Sequence, residues 1–324
     1  AIYVLARNSG EGSDRKLEGG DYYLTDEEAY NLTLLGQKFE NVIVVINAGG
    51  IIDTNFFNGK GGYDADDAHN RGQIEGLDAL VLMSQAGQNG GYALVEVLNG
   101  TVTPSGKLTD TWAINYEDYP SAEGFSYLDG NTYEEYYTDD IYVGYRYFDT
   151  FGLDVAYPFG YGLSYTNFEI DVTDVTADAD TITVTADVTN TGDVAGQEVV
   201  EVYFSAPDGS IDKPYQELAG YQKVAVAAGK TESVTVTFAT ADMSSYDENN
   251  EQYVLEDGDY VIRVGDSSRN TVVAATINLN ADVVTEEAAN LLGLTKDDMQ
   301  AGTYDADAGY ILNYEDPATH KNPT

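Results

Sequence analysis

Just after the apolar run Ile2 to Ala6, the stretch Asn8-Ser9-Gly10-Glu11-Gly12-Ser13-Asp14-Arg15 holds one carboxylate between two glycines. Glycine reaches backbone angles closed to other residues and lets the main chain come close to a bound molecule. A loop anchored on a strand is also where catalytic groups concentrate. A carboxyl placed this way could work as an acid or a base, although loop glutamates are more often simply solvated. The residue types alone leave both readings of Glu11 open. Asp14 and Arg15 are expected to pair and brace the loop rather than touch a ligand.

Other candidate chemistry is weaker. Asp64, Asp66, Asn70 and Glu75 have offsets reminiscent of a calcium loop, but Ala68 and His69 occupy the positions where a ligand and the turn glycine belong, so a solvated acidic loop is the better reading. His69 and His320 are far apart in sequence and have neither a Ser-His-Asp nor a metal context. The glycines of "NAGG" and "QAGQNGG" do not form the G-x-G-x-x-G of a dinucleotide site. No metal and no cofactor is expected.

Composition narrows the partners. The 324 residues carry 56 Asp and Glu against 15 Lys and Arg, a net charge of −41, which repels nucleic acid and anionic membrane surfaces. This acidity is best read as a solvated surface, and it points to an extracellular or cell-surface setting, with the cytoplasm left open. There is no cysteine, so disulfides, thiolate metal sites and thiol nucleophiles are excluded. Hydrophobic residues at 43% and 27 tyrosines indicate a folded protein.

The elements that must position Glu11 follow from periodicity. Three continuously apolar runs, residues 2–6, 42–47 and 79–84, read as strands of a parallel-rich sheet, with helices on its faces. The first helix opens with the capping box Thr25-x-x-Glu28 and carries Ala29, Leu32, Leu35 and Phe39 at helical spacing. A second places Ala93, Leu94, Val97 and Leu98 on one face and stops at Gly100. Residues 112–168 lose the pattern and are rich in Tyr, Gly, Asp and Pro, as an aromatic packing surface between domains would be. Beyond 168 the period becomes two: Ile182, Val184, Ala186 and Val188 share a face, and roughly seven such strands imply a fibronectin III or immunoglobulin-like sandwich. The expected division is an incomplete α/β sandwich with its connector at 1–168, the β-sandwich at 169–282, and a tail or linker at 283–324.

With these segments placed, the chain resembles the C-terminal part of a family 3 glycoside hydrolase of the β-glucosidase type. The matching stretches occur in the family's order: "SGEGSDR" (9–15), "VIVVINAG" (42–49), "QAGQNGGYALVEVLNGTVTPSGKLTDTW" (85–112), "IYVGYRYFDTFG" (141–152) and "YPFGYGLSYTNF" (157–168), followed by the sandwich. Asn89 and Asp139 depart from the pattern, standing where relatives often carry Glu.

The resemblance implies a retaining exo-β-glycosidase, acting on terminal β-glucosyl residues of a β-linked oligosaccharide or glucoside, with Glu11 as its general acid/base. Such hydrolysis needs two carboxyl groups about 5–5.5 Å apart, one attacking the anomeric carbon and one exchanging protons. In the family the aspartate nucleophile sits on a (β/α)8 barrel, in a Ser-Asp-Trp type motif. The single Trp here, Trp112, lies in "LTDTWA", so the barrel is expected to be a partner, preceding the chain or following it. The chain alone is then expected to be inactive, and self-association is left open. A β-xylosidase or related exo-glycosidase is the alternative within the class. A non-catalytic carbohydrate-binding or surface-assembly module is the alternative outside it.

Overall fold

The computed structural model describes residues 1–8, 14–63, 69, 72–125 and 137–289. Strands β1 (Ile2–Ala6), β2 (Ile43–Asn47) and β3 (Ala79–Leu82) form a parallel sheet in the order β1-β2-β3, with Ile2 opposite Ile43 and Ile43 opposite Ala79. Parallel neighbours require a crossover. Helix α1 (Asp26–Lys38) makes the first one. Its capping box is as expected: Thr25 Oγ1 accepts from the Glu28 amide at 3.1 Å, and Glu28 Oε2 accepts from the Thr25 amide at 2.9 Å. Ala29 and Leu32 bury against Leu5, Val44 and Ile46. Phe39 does not join them. It is the C-cap, with extended φ of −118°, and its ring is 52% exposed.

A short helix α2 (Asn55–Asn58) precedes β3, and α3 (Gly90–Leu98) follows it. Gly100, with φ of +77°, takes the left-handed angle just past the end of α3. The apolar face expected on α3 is incompletely covered: Leu94, Val97 and Leu98 are half-buried, and Ala93 is exposed.

The connector supplies the hairpin-like pair β4 (Trp112–Ala113) and β5 (Val155–Tyr157), with α4 (Tyr145–Thr150) between them. Trp112 is buried edge-to-face against Tyr157 and is a core residue. Tyr145 seats on the second domain. Its ring lies 5.8 Å from that of Tyr203, and its hydroxyl accepts from the Leu218 amide at 2.7 Å. At this point the aromatic segment packs the two domains together.

The second domain stacks two antiparallel sheets. One has the order β10 (Thr231–Ala239), β7 (Thr181–Asn190), β6 (Phe168–Ala177). The other has the order β14 (Asn270–Leu279), β13 (Gly258–Ser267), β8 (Gly196–Ser205), β9 (Glu217–Val226). The alternation read from the sequence decides the core: Ile182, Val184, Ala186 and Val188 bury with Val200, Val202, Tyr260, Ile262 and Val264. Burying each larger aliphatic side chain contributes roughly 1.5–3 kcal/mol. The outward threonines of β7 and β10 pair across the strands, Thr189 with Thr231 at 2.8 Å and Thr183 with Thr237 at 3.1 Å.

Strand pairing continues past residue 282. Strands β11 (Ser245–Asp247) and β12 (Gln252–Leu255) form a further small sheet, and β15 (Val283–Glu287) completes it by pairing with β12. The first residues assigned to a tail are therefore a strand, because β12 has a free edge and Val283 and Val284 supply the β-branched residues to pair with it. No helix among the described residues is long and apolar enough to cross a membrane.

Candidate functional site

The carboxyl end of β1 is a focus of charge. Arg7 continues the ladder, donating its amide to the Asn47 carbonyl at 3.0 Å, and its side chain is buried. A buried guanidinium must spend its donors on fixed acceptors, and planar carboxylates match its fork. Glu28 takes two of them, at 2.8 and 2.9 Å, and the carbonyls of Ala6, Asp21 and Tyr23 accept at 3.0, 2.8 and 3.3 Å. Glu28 thus serves both the helix cap and the arginine. This couples the start of α1 to the end of β1.

Glu11, with residues 9–13, lies outside the described residues. The chain is described again at Asp14, and here one expectation fails. Arg15 does not take Asp14 as its partner: it donates through Nε to Asp21 Oδ1 at 2.6 Å, through Nη2 to the Asp21 carbonyl at 2.7 Å, and through Nη1 to the Ile51 carbonyl at 2.6 Å. Asp14 is exposed. The reason is geometric, because Asp21 offers a carboxylate and a carbonyl together, which suits a forked donor better than an adjacent side chain in a solvated turn. The other Asp21 oxygen accepts from the Lys16 amide at 2.7 Å. Burial pushes the Asp21 carboxyl up, but these hydrogen bonds and the two arginine charges outweigh it and hold it below its usual value.

Two glycine-rich motifs of the sequence find structural explanations. A Cβ on Gly50, within "NAGG", would lie 3.1 Å from Arg15 Nη1, so the glycine makes room for the guanidinium. Gly160, within "YPFGYG", has φ of +81°, and a Cβ there would lie 2.5 Å from Glu201 Oε2 and 2.7 Å from the Ser267 Cα.

Beside the charged cluster runs a chain of rings. His69 stacks on Tyr23 at 4.5 Å, Tyr22 meets Tyr23 edge-on at 4.9 Å and Tyr116 at 5.5 Å, and Tyr116 continues to Tyr119 and Phe148. Burial pushes the Tyr119 hydroxyl up to about 12, and this group hydrogen-bonds the Ala113 amide and the Thr111 carbonyl. His69 is thus part of an aromatic stack.

Asp64, Asp66 and Asn70 of the acidic loop lie outside the described residues, as does His320. Among the described residues no group of three or more His, Asp or Glu is placed to hold a metal. Asp139 is half-buried, and burial raises its carboxyl despite a bond from the Ser121 hydroxyl; its Oδ1 has no hydrogen-bond partner among the described residues. Asn89 is the N-cap residue of α3 and makes no side-chain cap bond.

Sequence reasoning missed the buried acid at the domain junction. Lys107, from the first domain, pairs with Glu198 of β8 at 2.8 Å, and the neighbouring Glu201 is buried and accepts from the Tyr203 hydroxyl at 2.6 Å. Burial pushes the Glu201 carboxyl up to about 7. The run "EVVEVYF" gave a faint signal, since both acids sit in a strand whose residues are mostly apolar.

Residues 1–165 match the Glycosyl hydrolase family 3 C-terminal domain, and residues 198–268 match the Fibronectin type III-like domain. Beta-glucosidase A of Butyrivibrio fibrisolvens is 36% identical over 94% of this chain and 41% of its own length. An Exo-alpha-(1->6)-L-arabinopyranosidase of Bifidobacterium breve is 36% identical over 83% of this chain and 34% of its own. The structure of beta-glucosidase 3B from Thermotoga neapolitana in complex with alpha-D-glucose superposes with a TM-score of 0.77 at 38% identity, covering 88% of this chain and 38% of that one. The chain spans less than half the length of each.

Proposed function

The chain belongs to glycoside hydrolase family 3, and on that premise we propose that it is part of a retaining, exo-acting β-glucosidase-like enzyme in which Glu11 is the general acid/base. The observation that carries this reading is the setting of the Glu11 segment. The described residues that precede it follow the carboxyl end of β1 in a parallel sheet, and Arg7 before it and Arg15 after it are each bound to fixed acceptors. The carboxyl ends of parallel strands are where open α/β sheets bind ligands.

The proposed chemistry needs a second carboxylate, supplied by a barrel domain outside residues 1–324. That group attacks the anomeric carbon as Glu11 donates its proton to the departing glycosidic oxygen. Glu11, now a carboxylate, takes a proton from water as the water attacks the glycosyl-enzyme, so the configuration is retained. The acid step requires Glu11 to hold its proton near working pH, which a neighbouring carboxylate and exclusion of water favour.

Sugar identity is assigned to the barrel. An arabinopyranosidase among the relatives, alongside β-glucosidases, supports leaving the choice between glucoside and another exo-glycoside to that domain.

The test is an assay on an aryl β-glucoside of three samples: this chain, the barrel, and the two joined or mixed. Hydrolysis by the combination alone supports the proposal. Full activity of the barrel by itself contradicts it.

A further inference from the structure

Arg7 and Arg15 stand eight positions apart on either side of the Glu11 segment, yet both donate to one atom, the Asp21 carbonyl oxygen, from Nε at 2.8 Å and Nη2 at 2.7 Å. Each arginine is anchored a second time. Arg7 is held by Glu28 at the first turn of α1, and Arg15 by the Ile51 carbonyl, in the turn that follows β2. The Asp21 carboxylate adds a third hold, on Arg15 Nε and on the Lys16 amide. The two ends of one short segment are therefore tied to a common point, and that point is tied to a strand, a helix and a turn. Two arms on one acceptor hold Arg7 and Arg15 at a fixed separation.

We propose that Asp21 forms a clasp, gripped by Arg7 from one side and Arg15 from the other, that positions the Glu11 segment for proton transfer. The inference rests on the acid/base reading of Glu11. Arg7, Arg15 and Asp21 are positioning residues and do not act on substrate. The mechanical reason is that proton transfer tolerates little displacement: a misplacement of about 1 Å arising away from the chemistry can cost roughly 100-fold. Loosening the clasp should therefore damage the step that needs the proton and spare the step that does not.

That difference separates positioning from mere folding. In the enzyme assembled with its barrel, Asp21→Asn keeps the carbonyl and the side-chain size while weakening the carboxylate holds, and Arg15→Lys keeps the charge but loses the fork. Each variant is first compared with the parent by thermal melting. Then kcat/KM is measured across aryl β-glucosides whose leaving groups range from dinitrophenol, which needs no proton, to simple phenols and alkyl alcohols, which do. The expected result is a fall of roughly 10- to 100-fold for the poorest leaving groups, against less than about threefold for dinitrophenol.

An equal fall for all leaving groups, or no fall in either variant, overturns the clasp. Glu11→Ala is run beside them. If it shows the leaving-group dependence and the clasp variants do not, only the clasp is refuted. If Glu11→Ala itself lacks the dependence, the acid/base reading beneath it is refuted as well.

Discussion

Changing Glu201 to Gln should make the protein more stable, and only at neutral and alkaline pH. Glu201 lies in β8 beneath Gly160 of the connector, with the Tyr203 hydroxyl as its donor. The nearby cation, Lys107, is already engaged by Glu198. Burial drives the carboxyl from the usual 4.5 to about 7; the Tyr203 bond and Lys107 pull it down, and Asp266 and Glu198 push it further up. The unfolded chain binds its proton at the ordinary value, so the folded state holds the proton more tightly. The resulting contribution to stability is fully present below about pH 4.5 and is lost as pH rises through about 7. Each tenfold difference in proton affinity is worth ~1.4 kcal/mol, which makes the loss roughly 3 kcal/mol well above pH 7.

Glutamine carries no ionisable proton and can still accept from Tyr203. Urea unfolding of parent and Glu201→Gln, followed through the transition of the second domain, should therefore differ by no more than about 1 kcal/mol near pH 5. By about pH 8.5 the variant should be ahead by roughly 3 kcal/mol. The comparison cancels the general repulsion of a chain with net charge −41. A gap that stays constant with pH would refute the reasoning, as would a glutamine variant less stable than the parent at both values.

Three further outcomes are expected. Glu28→Ala removes the partner of a buried guanidinium and one half of a capping box, and urea unfolding should show a loss of about 3–5 kcal/mol in the first domain. Gly160→Ala forces a Cβ against Glu201 and Ser267 at positive φ, so the junction should lose about 2–4 kcal/mol by the same measurement. At Glu256, burial raises the carboxyl, but bonds from Lys213 and Ser210 outweigh it and bring it down to about 2. Its stabilisation is present above pH 4.5 and lost as pH falls toward 2, and Glu256→Gln should flatten that acid limb in pH-dependent melting curves.

Much of the framework was legible because it rests on short-range rules. Alternation at Ile182, Val184, Ala186 and Val188 declares a strand with one buried face, and Thr25-x-x-Glu28 declares a helix start. The extent of burial was less legible. Phe39 keeps helical spacing but falls one residue past the end of α1, and α3 carries apolar residues that the described chain only partly covers. Pairing across distance was hidden altogether. Nothing near Arg15 in the sequence marks Asp21 as a better acceptor than Asp14, because the choice depends on where the chain folds back. Glu201 was concealed for a related reason: alternation puts it on the face of β8 opposite Val200 and Val202, where a strand residue would be solvated, and what covers it there is Gly160 of the connector. The candidate acid/base, Glu11, came from the flanking glycines and the family resemblance.

The central claim is tested most directly by Glu11→Ala in the enzyme assembled with its barrel, assayed on an activated aryl β-glucoside with and without azide. The account predicts that hydrolysis falls by roughly 100- to 10,000-fold where proton transfer is needed. Azide should restore turnover by attacking the glycosyl-enzyme in place of activated water, yielding a β-glucosyl azide of retained configuration. Unchanged hydrolysis by the variant, or a slow variant that azide neither accelerates nor converts to the β-azide, would contradict it.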